Sequence, residues 1–193
     1  MHLSVDELRD KVEEFRSSGL NTQQIADELS LSQTTVQWLS ASDFEVDDKP
    51  VDVKVGWRSI AVKGERIEAI SYVFCDIIEE MVGEEIDTIV GVSINGIAFA
   101  QSVSSILDLE LSVVRSINED VAGHLSQVYA GVEGKRVVII DDVYSSGRTM
   151  SKIAEDLTKA GAAVKLCMVL VNKSWDDDVG GFPLRALVRA ATV

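Results

Sequence analysis

Residues 136–150, RVVIIDDVYSSGRTM, restrict the choice of fold more than any other stretch. Val137, Val138, Ile139 and Ile140 are four β-branched apolar residues in a row, the pattern of a fully buried strand in a parallel sheet. Two adjacent carboxylates follow, Asp141 and Asp142, then the small residues Ser145, Ser146 and Gly147, and a helix is predicted to open near Thr149. The first backbone N–H groups of a helix have no partner of their own, and the helix dipole favours an anion beside them. Gly147 lets main chain come close to such an anion. The carboxylates repel phosphate; their natural partners are sugar hydroxyls or a bridging Mg²⁺. The ligand this stretch is built for is a phosphorylated ribose or something shaped like it.

The segment resembles the phosphoribosyl-pyrophosphate (PRPP) motif of type I phosphoribosyltransferases, an apolar strand, two acids and a loop of Ser, Thr and Gly. Tyr144 stands where that family usually has an aliphatic residue. The resemblance implies that Asp141 and Asp142 face the ribose 2- and 3-hydroxyls. It also implies that Val143, Tyr144, Ser145, Ser146, Gly147, Arg148 and Thr149 wrap the 5-phosphate. Upstream, GVSINGIAFAQSVSSILDLELSVVR is similar to the family's pyrophosphate loop and the strand after it. Ser93, Ile94, Asn95 and Gly96 map onto the loop, with Asn95 where glycine is common, and Arg115 onto the arginine that ends the strand. Periodicity supports the same fold. Helices are predicted over 65–82, 97–107 and 149–160, alternating with strands over 86–92, 111–114, 137–140 and 164–171 and a last strand within 182–193. The fold class is α/β: a type I phosphoribosyltransferase-like parallel sheet with helices on both faces, whose ligands collect at the strands' C-terminal ends.

The first forty residues read differently. Ser4 to Glu7 is a capping box, and Val5, Leu8, Val12 and Phe15 recur at helical spacing up to Gly19. A second helix is predicted from Asn21 or Thr22 to Leu29, and a third from the cap Ser32 to Leu39, joined by three residues. QQIADELSLSQTTVQWL is similar to the bacterial and archaeal helix-turn-helix signature, with Ala26 at the helix crossing, Ile25, Leu31, Val36 and Leu39 in the core, and Ser30 where glycine is often found. That resemblance places Thr22, Ser32, Gln33, Thr34, Thr35 and Gln37 toward double-stranded DNA; Gln pairs with adenine and Thr touches the thymine methyl. Residues 1–40 hold three basic residues against seven acids, so a three-helix oligomerisation module would carry the same pattern. The proposed reading helix, 32–40, is uncharged and does not repel phosphate.

Three segments are expected: a small all-α helix-turn-helix domain at 1–42, a connector at 43–64 and the effector-binding domain at 65–193. Between 51 and 62 apolar and polar residues alternate, predicting two short strands about Gly56 and Trp57. The stretch 49–66 is locally basic (Lys49, Lys54, Arg58, Lys63 and Arg66 against Asp52 and Glu65) and suits either a wing beside the reading helix or a cover strand over the ligand site. Net charge is −14, which argues against a generic polyanion binder. Cys75 and Cys167 sit in apolar patterns and give no disulfide framework. Two histidines, His2 and His124, provide no zinc spacing. The N-terminus lacks a signal-peptide signature and no apolar run is of membrane-span length, so a soluble cytoplasmic protein is expected.

In orotate phosphoribosyltransferases, lysines and a His-Gly of a mobile loop close over pyrophosphate and neutralise the leaving group. From Ser116 to Gly134 there is no Lys or Arg, Glu119, Asp120 and Glu133 are acids, and only Gly123-His124 is similar to that loop, in reversed order. The combination resembles archaeal regulators of sugar catabolism built on an orotate-phosphoribosyltransferase-like domain, and the purine repressor of Gram-positive bacteria. It implies a ligand-responsive transcriptional regulator that senses PRPP, a nucleotide or a sugar phosphate. No cofactor is required, and Mg²⁺ enters at Asp141 and Asp142 only with a pyrophosphate-bearing ligand. A homodimer is expected on symmetry grounds. The alternatives are an active orotate-type phosphoribosyltransferase with a helical appendage, and a transferase-fold scaffold whose helices bind protein.

Overall fold

In the computed structural model, which describes residues 4–41, 50, 52–115 and 124–191, side-chain caps set the starts of the first three helices. In α1 (Val5–Ser17) the Ser4 hydroxyl accepts from the Glu7 N–H while the Glu7 carboxylate accepts from the Ser4 N–H at 2.7 Å. In α2 (Thr22–Leu29) Asn21 and Gln24 form a second reciprocal box that the sequence reading did not single out. Ser32 caps α3 (Gln33–Leu39). The three-residue connection turns at Ser30, whose φ of 54° is left-handed and costs a residue with a Cβ about 1 kcal/mol. This is the position at which glycine is the usual occupant. Val12, Ile25, Ala26, Leu29, Val36 and Leu39 form a core of this unit's own.

The chain divides between Gly56 and Trp57 into two compact units. Over 52–62, the described part of the stretch in which a strand pair is expected, no strand forms. Residues 52–57 carry no regular structure, and α4 (Arg58–Ala61) follows, started by the Trp57 carbonyl accepting from the Ile60 N–H at 2.8 Å. The alternation is real, but the side chains at its ends, Asp52 and Trp57, are fixed by hydrogen bonds elsewhere, so this segment is neither a strand wing nor a cover strand. Of the acidic stretch 43–50, only Pro50 lies within the described residues. Residues 116–123, the first eight of the cation-poor stretch 116–134, and the end of the last predicted strand at 192–193 lie outside them.

The C-terminal unit continues with α5 (Gly64–Val82), β1 (Thr88–Ser93), α6 (Gly96–Leu107), β2 (Glu110–Arg115), β3 (His124–Leu125), β4 (Arg136–Tyr144), α7 (Arg148–Lys159), β5 (Ala163–Asn172), β6 (Asp178–Val179) and β7 (Phe182–Arg189). The sheet order is β3-β2-β1-β4-β5-β7-β6. The five inner strands are parallel, but β3 and β6 pair antiparallel at the edges, so the sheet is mixed rather than wholly parallel. At one edge the reversal is a two-residue turn, Gly180-Gly181, with φ of 60° and 93°.

Both faces are covered. Val137, Ile139, Cys167 and Val169 pack with Met150, Ile153, Ala154 and Leu157 of α7. On the other face Gly91 lies against Ile97 and Ala100 of α6. Phe99 of α6 meets Phe74 of α5 edge-on, at a centroid distance of 5.6 Å. Each such buried aromatic contributes on the order of 2 kcal/mol. A Cβ at Gly96 would stand 2.9 Å from the Asp141 Cα and still closer to the Ile140 carbonyl, so α6 begins in contact with the main chain of β4. At the opposite strand ends, Arg136 holds Asp87 through its backbone N–H at 2.8 Å and its guanidinium at 2.9 and 3.0 Å, which ties the entrances of β1 and β4 together.

Two outcomes follow from these contacts. Gly96→Ala must force main chain apart and is expected to lower stability by about 3 kcal/mol or more, read by urea unfolding; a wild-type midpoint would disprove the close approach. The Arg136 guanidinium holds the Asp87 carboxyl well below the usual carboxylate range. A depressed carboxyl stabilises the fold above its unfolded value, near 3.9, and ceases to as pH falls through its folded value. The melting-temperature gap between wild type and Asp87→Asn should therefore be widest at neutral pH and shrink between about pH 5 and pH 2; a gap that grows in acid would contradict this.

Candidate functional site

Parallel neighbours β1 and β4 deliver the two small-residue loops side by side. Their register runs from Thr88 beside Val137 to Gly91 beside Ile140, and β1 and β2 continue until Ser93 stands beside Arg115. Ser93, Arg115, Asp141 and Asp142 therefore gather at the strands' C-terminal ends. β4 extends past the predicted apolar run, so both acids and Tyr144 belong to the strand and only residues 145–147 form the loop. Gly147 is the N-cap of α7 with φ 72°, and neither α7 nor α6 has a side-chain hydrogen bond capping its start. Those helix starts keep donors for a ligand anion.

The acids differ in their surroundings. Asp142 Oδ2 accepts from Trp57 Nε1 at 2.8 Å and from Asn95 Nδ2 at 3.0 Å, while the Asp142 N–H donates to Asp141 Oδ1 at 2.9 Å. Burial pushes the Asp142 carboxyl up, and donation from Trp57 and Asn95 opposes that rise. One N–H of the Asn95 amide, which is expected to line a pyrophosphate loop, is given to Asp142. Ile94 is exposed, and Ser93 and Asn95 are half-buried. Tyr144 supports the loop from beneath: its ring is buried, lies where a Cβ at Gly147 would be only 2.8 Å from its Cζ, and its hydroxyl donates to Asp176 at 3.2 Å. Burial and then Asp176 push the Tyr144 phenol up to about 12. Val143, Ser145 and Thr149 are half-buried, and Ser146 and Arg148 exposed.

Among the described residues no group of three or more His, Cys, Asp or Glu comes together to hold a metal ion. Two carboxylates, one already accepting from two donors on one oxygen, leave most of a Mg²⁺ shell to ligand oxygens and water. Sequence reasoning missed Trp57 and Asp176. Trp57 had a signal, a lone aromatic in a basic exposed stretch; Asp176 had none, since its partner lies 32 residues away.

In the N-terminal unit Thr34 and Gln37 are exposed on α3, while Gln33 and, on α2, Thr22 are half-buried. The Gln33 amide donates to Gln23. Thr35 does not fit its assignment as a DNA contact: it is 5% exposed, its hydroxyl donates to Asp52 at 2.7 Å and its N–H to the Ser32 hydroxyl. Asp52 also accepts from the Ser32 N–H at 2.8 Å, so the carboxylate closes the start of α3. Ser32 itself is a helix cap. Helical periodicity cannot separate Thr34 from Thr35, because the partner that buries Thr35 is 17 residues away.

The family described as "Phosphoribosyl transferase domain" matches residues 57–179. Over 98% of both chains, the sequence is 42% identical to transcriptional regulator GfcR of Thermoplasma acidophilum. It is 38% identical to the GfcR of Picrophilus torridus, over 98% of this chain and 99% of that one. The fold is similar to that of adenine phosphoribosyltransferase from Thermoanaerobacter pseudethanolicus, with a TM-score of 0.59 and 18% identity over 73% of this chain and 90% of that one. It is also similar to that of orotate phosphoribosyltransferase from Aeropyrum pernix, with a TM-score of 0.56 and 19% identity over 77% and 83% of the two chains. Among the described residues no helix is long and apolar enough to cross a membrane. With identity above one third sustained from end to end, and a phosphoribosyl transferase domain as its C-terminal unit, the chain belongs to the GfcR family of transcriptional regulators.

Proposed function

We propose that the chain regulates transcription by reading double-stranded DNA with α2 and α3 and binding a phosphorylated metabolite in its transferase-like unit, without turning that metabolite over. The DNA-reading head is 1–42; the effector domain, expected at 65–193 behind a connector at 43–64, takes in the stretch from Trp57 onward as well. The effector class is PRPP, a nucleotide or a sugar phosphate of sugar or nucleotide metabolism, and the working form is a cytoplasmic homodimer.

One observation carries the effector reading: neighbouring parallel strands β1 and β4 each run into a small-residue loop and a helix start with no side-chain cap, beside adjacent acids. Helix-end donors suit the phosphate and the carboxylates suit sugar hydroxyls. The sequence from Ser116 to Gly134, free of Lys and Arg, supports binding without transfer, because displacement of pyrophosphate needs cations to neutralise its charge. The N-terminal helices support a helix-turn-helix head through their three-residue connection and the exposure of Thr34 and Gln37. Head spacing in a dimer would match or miss half-sites about 34 Å apart according to the effector.

A gel shift on the chain's own upstream DNA tests the head. Gln33→Ala/Thr34→Ala should abolish specific retardation and leave the melting temperature unchanged; specific binding by that variant would refute the assignment. Calorimetry tests the pocket: Asp141→Asn should weaken sugar-phosphate binding about tenfold, the value of one hydrogen bond to a charged group, and unchanged affinity would remove Asp141 from the site. Turnover of orotate with PRPP and Mg²⁺ at an ordinary enzymatic rate, about 1 s⁻¹ or faster, would instead establish a transferase.

A further inference from the structure

Trp57 is the first residue of the transferase-like unit, yet its indole N–H is bound to one of the two acids expected to meet the ligand. A carboxylate oxygen has two lone pairs. On Asp142 Oδ2 both are used, one by Trp57 Nε1 and one by Asn95 Nδ2. A sugar hydroxyl reaching that oxygen is a third donor and must exchange with one of the two. Asn95 cannot yield easily, because Gly96 beside it is pressed against the Ile140 and Asp141 main chain. Trp57 can. It ends a stretch, 52–57, with no helix or strand, it is only half-buried, and a Cβ at Gly56 would meet open space. Its ring rests on Phe99 at a centroid distance of 5.3 Å, an apolar contact that requires no particular hydrogen bond.

The other end of the same stretch is also anchored. Five residues before Trp57, the Asp52 carboxylate accepts from the Ser32 N–H and the Thr35 hydroxyl at the start of α3. Five residues of main chain, at most about 18 Å when extended, join the two anchors. We infer that Trp57 reports occupancy of the site: a sugar hydroxyl replaces the indole on Asp142, and the freed residue loosens the Asp52 hold on the reading helix. This inference rests on the sugar-phosphate reading of the site and adds a selectivity to it. Inorganic phosphate, which has no sugar hydroxyl, fills the loop without moving Trp57, whereas a pentose phosphate moves it.

The test uses the full chain carrying Trp38→Phe and Trp175→Phe, which leaves Trp57 as its one tryptophan. Ribose 5-phosphate is expected to shift Trp57 emission to the red and open it to acrylamide quenching; inorganic phosphate is not. In the otherwise native chain, Trp57→Phe keeps a ring on Phe99 but has no N–H to displace. It should bind ribose 5-phosphate about tenfold more tightly by calorimetry, and DNA retardation should no longer respond to the sugar phosphate. If ribose 5-phosphate binds but Trp57 emission stays fixed and Trp57→Phe has wild-type affinity, the inference is overturned and the site reading stands. If neither ribose 5-phosphate nor PRPP gives any heat of binding, the site reading is overturned and the inference with it. The emission measurement retains the native Trp57, so it decides even if Trp57→Phe unfolds.

Discussion

No side chain fits at position 96, and much of the site follows from that. The bare Cα lets the first turn of α6 touch the main chain of β4 at Ile140 and Asp141. The contact carries Asn95 within hydrogen-bond reach of Asp142 and fixes the loop after β1 beside the acids of β4. It also seats α6 on the sheet, where Phe99 serves Phe74 on one side and Trp57 on the other. The same glycine thus joins the packing of the sheet to the hydrogen bonding of the adjacent acids.

A second regularity concerns the acids of this strongly acidic chain. Several carry structure as acceptors for neutral donors. Asp52 accepts a backbone N–H and a hydroxyl, Asp142 an indole and an amide, and Asp176 a phenol and a serine hydroxyl. Neutral donors hold a carboxylate in place without cancelling its charge. Asp87 is the contrast: paired bidentately with Arg136 at the opposite ends of the strands, it braces their entrances.

What could be read from the chain depended on the range of the physics. Local rules gave β4 through its run of β-branched residues, the α1 start through Ser4 and Glu7, and the turn at Ser30 through the vacancy of its usual glycine. Strand ends were less accessible: Asp141 and Asp142 look like loop residues by polarity, but the ladder to β5 continues to Tyr144 beside Asn172. Long-range hydrogen bonds were not legible. Nothing around Thr35 predicts Asp52, and nothing in 51–62 announces that Trp57 would reach an acid 85 residues on. The edge strands β3 and β6 are two residues each, too short for any period to register.

Among the described residues, the core of the N-terminal unit, from Val12 to Leu39, lies within its three helices, while Thr34 and Gln37 are exposed on α3. Exchanging the outward side chains of this helix therefore leaves the packed interior of the three helices as it is.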